Sequence, residues 1–232
     1  MTKPNLLLLH GALGSSAQFE DLKNLLSDDF NVLTMNFTGH GGRALGFGAF
    51  SISLFTLDVV EFLRLQQIDK VSIFGYSMGG YVALNFARHY PEWVDKIMTL
   101  GTKFDWTPEQ SNREAQMLDP EKMEEKVPHF ASALSLRHAP QDWKQIVRRT
   151  ADMMLQLGHG KALSLEAFRQ IEQTILIGVG EADNMVSQEE SNQVATTLPY
   201  GQLKIFPGFR HPIEQIDKVL LAREIRDFLL PN

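Results

Sequence analysis

The chain has 232 residues, 44% of them hydrophobic, so it is long enough to bury one sizeable core. Its formal net charge is −6 and no basic patch stands out, which argues against a nucleic-acid partner. The absence of cysteine excludes disulfides, thiolate metal sites and a cysteine nucleophile. No stretch approaches the ~20 apolar residues needed to span a bilayer, and the leucine run at 6–9 is too short for a signal peptide. We therefore expect a cytoplasmic protein without a membrane partner.

Short apolar runs alternate with helical periodicity in the first part of the chain. The runs predict strands at 6–9, 30–37, 71–74 and 96–101. Between the first two strands lies a predicted helix with the apolar face Phe19, Leu22, Leu25 and Leu26. Further helices are predicted at 78–89 and at 53–67, the latter with an inward face of Leu54, Leu57, Val60, Phe62 and Leu65. This alternation favours a parallel sheet with helices on both faces.

The alternation stops between 105 and 168, where the sequence is rich in charge, methionine and helix-interrupting proline. We interpret this segment as a small cap insertion of three or four short helices over the carboxyl edge of the sheet. The core pattern then resumes, with strands predicted at 174–179 and 202–206 and helices at 188–198 and 212–230. The predicted domains are therefore an α/β core, 1–104 and 169–232, and a helical cap, 105–168. The core has a mostly parallel sheet of about six strands.

Gly75, Ser77 and Gly79 form a Gly-x-Ser-x-Gly pattern between a predicted strand and a predicted helix. A strand that turns directly into a helix brings its backbone close on both sides, so that a Cβ two residues either side of the serine would clash. The serine at the apex is held in a strained conformation, with its hydroxyl at the helix N-terminus. This pattern predicts a nucleophile elbow with Ser77 as the nucleophile.

A serine hydroxyl needs a nearby base, and that base needs a third group that fixes its tautomer. In this architecture the acid and then the histidine follow later strands. Asp183 lies just past the strand at 174–179 and is the candidate acid, with Glu181 as its rival. His211 lies just past the strand at 202–206 and is the candidate base.

Backbone N–H groups can stabilise the oxyanion of an acyl-transfer intermediate. We expect one donor from Met78, directly after the nucleophile, and the other from Ala12 in the loop after the first strand. Of the other histidines, we expect His10 and His40 to shape loops. We expect surface positions for those in the insertion, His129, His138 and His159. None has metal-ligand spacing, so neither a metal nor another cofactor is predicted.

These motifs together resemble an α/β-hydrolase-fold serine hydrolase. The resemblance rests on His10-Gly11, Gly39-His40-Gly41, Gly75 to Gly80, Gly180 to Asp183 and His211, and it covers both halves of the core. Within that family the chain is similar to small capped esterases, carbon–carbon bond hydrolases and cofactor-free haloperoxidases. Two features depart from the family: only a handful of residues precede the first strand, and Ala12 replaces a bulky aromatic residue.

The methionine-rich insertion fits a tolerant, apolar acyl site. The candidate pocket residues are Leu13, Tyr76, Phe104, Trp106, Phe130 and Trp143. We expect Arg137, Arg148 and Arg149 to lie on solvated helix faces.

The leading hypothesis is a carboxylic-ester hydrolase that acts on a small, largely apolar ester, thioester or lactone through an acyl-enzyme. A carbon–carbon bond hydrolase or lyase with a diketone-like substrate is the first alternative. A non-catalytic small-molecule receptor on the same fold is the second. In each case the expected partner is a small molecule, and the protein itself is expected to be a monomer or homodimer.

Overall fold

In the computed structural model, which describes residues 3–230, a single sheet forms the centre of the protein. Its strands are β1 (Asn5–Leu9), β2 (Asn31–Thr34), β3 (Val71–Tyr76), β4 (Val94–Leu100), β5 (Thr174–Gly180) and β6 (Gly201–Phe206). They lie in the order β2-β1-β3-β4-β5-β6, and every neighbouring pair is parallel. The predicted parallel sheet of about six strands is therefore confirmed.

Both faces of the sheet are buried, as expected for a parallel sheet covered by helices. In β1, Leu7 and Leu9 belong to one apolar cluster. Leu6 and Leu8 belong to the other. Successive side chains of a strand point to opposite faces, so this short leucine run supplies both layers of the core.

The core helices differ from the predicted ranges mainly at their ends. They are α1 (Glu20–Leu26), α2 (Ile52–Leu65), α3 (Met78–His89), α9 (Gln188–Thr197) and α10 (Lys218–Leu229). The last helix begins at 218 rather than 212 because Asp217 caps it, its carboxylate accepting from the N–H groups of Val219 and Leu220. Within residues 3–230, no helix combines the length and apolar composition needed to cross a bilayer.

The predicted inward face of α2 is right for Val60 and wrong for Leu57 and Leu65; Leu54 and Phe62 are half-buried against the core. Leu57 and Leu65 are 55% and 74% exposed, whereas the buried apolar residues are Ile52, Phe55, Val59, Val60 and Leu63. The helix carries two apolar stripes at helical spacing. Tertiary packing buries the stripe that contains Phe55, Val59 and Leu63. The Phe55 ring lies 5.0 Å from the Phe37 ring, an aromatic contact that the α2 sequence does not encode.

The segment between β4 and β5 is helical. It contains α4 (Pro108–Met117), α5 (Pro120–Lys126), α6 (Pro128–His138), α7 (Trp143–Gln156) and α8 (Leu165–Arg169). Leu134 of α6 and Ile146 of α7 are fully buried in the same apolar cluster as Leu9 and Ile73 of the sheet. The insertion therefore shares one continuous core with the sheet.

Because of this shared core, Leu134→Ala should destabilise the whole protein. Removing a buried leucine side chain costs roughly 2–5 kcal/mol of unfolding free energy. Leu136 lies two residues away on the same helix and is 78% exposed, so Leu136→Ala should change stability by less than about 0.5 kcal/mol. Urea unfolding followed by circular dichroism measures both changes. Separate transitions for the insertion and the sheet would contradict a shared core.

Candidate active site

Ser77 occupies the turn between β3 and α3 in a strained conformation. Its φ and ψ are 51° and −119°, in a region that non-glycine residues rarely adopt. Its N–H donates to Leu100 O at 2.9 Å, and the Thr102 hydroxyl donates to Ser77 O at 3.0 Å. Such strain costs about 1–3 kcal/mol and persists only where the surroundings fix the backbone.

The glycines on either side of Ser77 are required by close backbone contacts. A Cβ at Gly75 would lie 2.4 Å from the Gly80 Cα, and one at Gly79 would lie 2.2 Å from Leu9 O. No relaxation of a flexible side chain could relieve either contact. The structure therefore shows the steric reason for glycine at both positions.

Asp183 and His211 lie in direct contact at the ends of β5 and β6. The His211 Nδ1 is 2.8 Å from Asp183 Oδ2, and the other carboxylate oxygen accepts from the Met185 and Val186 N–H groups. Glu181, the rival acid, is exposed and accepts instead from Gly208 N–H at 3.1 Å. The structure places Asp183, rather than Glu181, against the imidazole.

The environment of Asp183 favours its charged form. Burial raises the pKa of the carboxyl. The hydrogen bond and charge of His211 and the two backbone N–H donors lower this pKa by more than burial raises it. The net pKa of Asp183 lies below its ordinary value. A carboxylate at this position therefore stays ionised and keeps a proton on His211 Nδ1, which leaves Nε2 free to accept one.

Tyr76 fixes the backbone that carries the imidazole. Its hydroxyl donates to His211 O at 2.7 Å, and the two rings lie 5.6 Å apart. Burial raises the pKa of Tyr76, so the hydroxyl remains a donor. His211 and Ser77 line the same cavity.

The loop after β1 approaches the nucleophile closely. A Cβ at Gly11 would lie 3.1 Å from the Ser77 Cβ, so the next residue, Ala12, borders the cavity that contains Ser77. Met78 borders it too and is the first residue of α3, where N–H groups have no partner within the helix. Both residues predicted to hold an oxyanion are thus at the cavity.

Two cavities meet at Ser77 and His211. The small cavity has a volume of about 50 Å³, and its apolar lining includes Ile52, Tyr81, Trp106, Met153, Met154 and Leu157. The large cavity has a volume of about 340 Å³, and its lining includes Leu13, Tyr76, Met117, Met123, Phe130 and Arg137. Four of the predicted pocket residues, Trp106, Leu13, Tyr76 and Phe130, therefore border the site.

Phe104 and Trp143 border neither of these cavities, contrary to prediction. The Phe104 ring packs between Tyr81 and Phe168, with centroids 6.1 and 5.7 Å away, and lines a separate surface depression. Trp143 begins α7 and is buried in the shared core. Lys103 and Glu114, which the sequence did not single out, line the small cavity instead.

Residues 2–215 match the sequence model of the family described as "Serine aminopeptidase, S33". The chain belongs to that family of α/β-hydrolase-fold hydrolases. The match spans most of the chain, and the predicted α/β-hydrolase fold and family are confirmed. Among residues 3–230, no group of three or more His, Asp or Glu side chains is arranged to hold a metal ion.

Individual relatives are distant. The chain is 30% identical over 95 residues to an uncharacterized protein of Mycobacterium tuberculosis, a match that covers 41% of this chain and 28% of that protein. It is 23% identical over 248 residues to 2-(acetamidomethylene)succinate hydrolase of Mesorhizobium japonicum, covering 97% of this chain and 88% of that protein. A thermophilic esterase from Thermogutta terrifontis has a similar fold, with a TM-score of 0.77 and 21% identity over 98% of this chain and 90% of the other.

Three buried histidines connect the loops beside the candidate site. The His10 Nδ1–H donates to Gly11 O and its Nε2 accepts from Phe37 N–H. The His138 Nε2–H donates to Leu13 O at 3.1 Å and its Nδ1 accepts from Gly41 N–H. His138 is fully buried, so its predicted surface position is wrong. His40 lies between them, with ring centroids 5.2 Å from His10 and 5.5 Å from His138.

These histidines are held in their neutral forms. Burial lowers the pKa of His10 and that of His138 to about 4, and it lowers the pKa of His40 well below 6.5. In His10 and His138, one ring nitrogen accepts a hydrogen bond from a backbone N–H. Protonating that nitrogen would break the hydrogen bond and place two N–H groups against each other. The unfolded chain takes up these protons below about pH 6.5. Stability should therefore fall as the pH drops from about 6.5 towards 4.

We expect His40→Phe to reduce this acid sensitivity. The His40 ring lies 5.5 Å from Phe50 and 5.6 Å from Phe55, and its buried Nε2 has no partner among the described residues. A phenyl ring fits these contacts and cannot be protonated. The unfolding free energy of the variant minus that of the wild type should be about 2 kcal/mol larger at pH 5 than at pH 8.

Urea unfolding at pH 8 and at pH 5 measures this difference. His129 is exposed, so His129→Gln serves as the control and should leave the pH dependence unchanged. Identical pH dependence in the wild type and His40→Phe would contradict the assignment of a buried, neutral His40.

Proposed function

We propose that the protein is a serine hydrolase that cleaves a small, largely apolar carboxylic ester, thioester or lactone through an acyl-enzyme. The observation that carries this proposal is the Asp183–His211 contact of 2.8 Å, beside a cavity that His211 shares with the strained Ser77. This arrangement supplies a nucleophile, a base and an acid that orients the base.

The proposed reaction has two stages. The Ser77 hydroxyl attacks the carbonyl carbon while His211 Nε2 takes its proton, and the N–H groups of Ala12 and Met78 hold the resulting oxyanion. The tetrahedral intermediate then collapses: the bond to the leaving group breaks and His211 returns the proton to that group. A water molecule, deprotonated by His211, then attacks the acyl carbon; the bond from that carbon to Ser77 Oγ breaks, and His211 returns the proton to Oγ as the acid leaves. Asp183 stabilises the imidazolium in both stages.

The small cavity supports a short, apolar acyl group. Its volume of about 50 Å³ is small beside the 340 Å³ of the large cavity, and most of its lining side chains are apolar. Methionines 153 and 154 contribute flexible, adaptable walls. The thermophilic esterase among the structural neighbours and the 2-(acetamidomethylene)succinate hydrolase among the relatives support the proposed acyl chemistry.

Ser77→Ala should abolish hydrolysis of p-nitrophenyl acetate and butyrate. Removing the nucleophile of a serine hydrolase lowers kcat by on the order of 10⁶. Release of p-nitrophenolate measures the rate, and circular dichroism shows whether the variant remains folded. A fluorophosphonate probe should label the wild type at Ser77 and leave the variant unlabelled. Equal turnover by the wild type and a folded Ser77→Ala protein would exclude the mechanism.

Asp183→Asn should lower kcat by on the order of 10⁴, because an amide cannot stabilise the imidazolium or fix the tautomer that leaves Nε2 free. Glu181→Gln is the matched control: it removes one carboxylate from the same loop, and Glu181 contacts Gly208 rather than His211. Its rate should remain close to that of the wild type. A larger loss for Glu181→Gln than for Asp183→Asn would reverse the assignment of the acid.

A receptor on the same fold is distinguished by the same reagents. An inert site would fail to react with the fluorophosphonate, and its ligand would be recovered unchanged. Covalent labelling of Ser77 together with ester turnover would count against a receptor.

A second candidate function is cleavage of a carbon–carbon bond in a diketone-like substrate by the same three residues. The observation that favours it is Arg137, which borders the large cavity and whose guanidinium donates to Leu13 O at 2.9 Å. Arg137 also lies 3.5 Å from Glu214, which lines the same cavity, so a substrate carboxylate would compete with Glu214 for the guanidinium. Arg148 and Arg149 instead contact Glu121 and the backbone carbonyls of the 45–48 loop. Turnover of a vinylogous diketone with negligible ester hydrolysis would favour this alternative.

A further inference from the structure

An ion pair lies in the wall of the otherwise apolar small cavity. The Lys103 Nζ is 3.4 Å from Glu114 Oε1, and the two side chains are only 14% and 10% exposed. Both residues line the small cavity together with Ser77, and Glu114 also lines the large one. Both also line a third, more open cavity of about 660 Å³ beside Asp183 and His211. Neither belongs to the candidate catalytic machinery.

The positions of the two residues show why they meet. Lys103 follows the end of β4, whereas Glu114 lies on α4, which packs against α7. Within the described residues of α4, only Ser111 and Glu114 are buried. Neither is apolar, so this helix has no apolar stripe. The insertion therefore directs a carboxylate, where a leucine would be expected, towards the cavity.

This arrangement is costly and leaves hydrogen-bonding capacity unused. Burying two charges is favourable only when good geometry and additional hydrogen bonds compensate for desolvation. The ammonium of Lys103 donates to Met185 O at 3.1 Å, but the Glu114 carboxylate accepts no hydrogen bond from any described residue. A polar group of a ligand in the cavity could accept from Lys103 and donate to Glu114.

We propose that Lys103 and Glu114 select substrates whose acyl chain carries an uncharged polar group, such as a carboxamide or a hydroxyl. The inference rests on the proposed ester hydrolysis and names the substrate class of that site. The oxygen of the group accepts from Lys103, and its N–H or O–H donates to Glu114. A substrate without the group gives Lys103 no further acceptor and leaves Glu114 with its ion pair alone, which disfavours that substrate.

The same pair disfavours charged acyl chains of either sign. A carboxylate attracted to Lys103 is repelled by Glu114, and an ammonium attracted to Glu114 is repelled by Lys103. Glu190 lies near Lys103 but lines neither the small nor the large cavity, and it is unchanged in every variant below. Arg137 borders only the large cavity of the two and is unchanged in every variant below.

Four ethyl esters with acyl chains of matched length test the proposal: ethyl pentanoate, ethyl succinamate, monoethyl succinate and ethyl 4-aminobutanoate. Their chains end in a methyl, carboxamide, carboxylate or ammonium group, and hydrolysis is followed by acid release. For the wild type we expect kcat/KM for the carboxamide to exceed that for each of the others by about tenfold or more.

The variants should shift this preference in opposite directions. Glu114→Gln removes the carboxylate that faces Lys103 inside the cavity, so kcat/KM for the succinate ester should rise relative to the succinamate by about tenfold. Lys103→Met leaves the carboxylate unopposed and should favour the 4-aminobutanoate ester to a similar extent. The double variant has no charge in the wall and should lose both preferences. Each variant's thermal unfolding shows whether it is folded.

Charge-matched controls are available nearby. Glu109 lies on the same helix as Glu114, and Lys122 lies on α5; their side chains are 76% and 63% exposed. Glu109→Gln and Lys122→Met are the control variants. Both controls should retain the wild-type ranking of the four esters. A ranking that changes equally in the controls would show an effect of net charge and would overturn the proposal.

Calorimetric binding of the four esters to Ser77→Ala, alone and combined with each wall variant, separates the two proposals. Selective binding of the succinamate without turnover by the wild type would contradict the ester hydrolase and support the ion-pair assignment. One ranking shared by all wall variants would overturn that assignment. So would a uniform fall across the four esters in Lys103→Met, because it would mean that Lys103 only positions the loop at Met185.

Discussion

The backbone of the β3–α3 turn lies in direct contact with the segments that follow β1 and β4. A Cβ at Gly79 would lie 2.2 Å from Leu9 O, and one at Gly80 would lie 2.1 Å from the Thr102 hydroxyl oxygen. These contacts leave the turn no alternative path, which is how Ser77 can be held at a positive φ despite the strain. The loops after β1, β3 and β4 therefore form one rigid unit, and the candidate nucleophile and oxyanion donors take their positions from it.

The parallel sheet explains why residues distant in sequence meet at this unit. All six strands end at one edge, so the loops after β5 and β6 bring Asp183 and His211 to the side on which Ser77 lies. Gly101, at φ 61°, allows the approach, since a Cβ there would lie 3.1 Å from Asp183 Oδ2 and 3.3 Å from His211 Nδ1. Side chains of the insertion line the cavities at this edge, and the insertion is joined to the sheet by a shared apolar core. Positioning in the site therefore depends on the stability of the whole chain.

The parts that sequence predicted well are those with local signals. The elbow has a fixed glycine pattern, and Asp183 follows β5, which has a continuous apolar run. His211 follows β6, whose apolar residues are interrupted by Lys204 but still indicate a strand. The inward face of α2 could not be chosen, because two apolar stripes fit the helical period. The burial of His138 results from contact with a carbonyl 125 residues away, and the Lys103–Glu114 pair forms only when α4 folds back beside the end of β4. A lysine in a loop and a glutamate in a polar helix carry no pattern that predicts their meeting.

The buried ionisable groups show where this fold gives up stability. His10, His40, His138, Glu114 and His211 are all buried within the loops and helices at the carboxyl edge of the sheet. Apolar side chains of similar volume would in general be at least as stable in such positions, because they need no hydrogen-bond partners. His10 and His138 have such partners and thereby fix the loops that carry Gly11, Leu13 and Gly41. Glu114 makes only a long ion pair and lines the cavity beside Ser77. It fixes no loop, so no such contact offsets the free-energy cost of removing its carboxylate from water. A contact made with a substrate is the compensation that remains, and this difference separates a structural role for the histidines from a recognition role for Glu114.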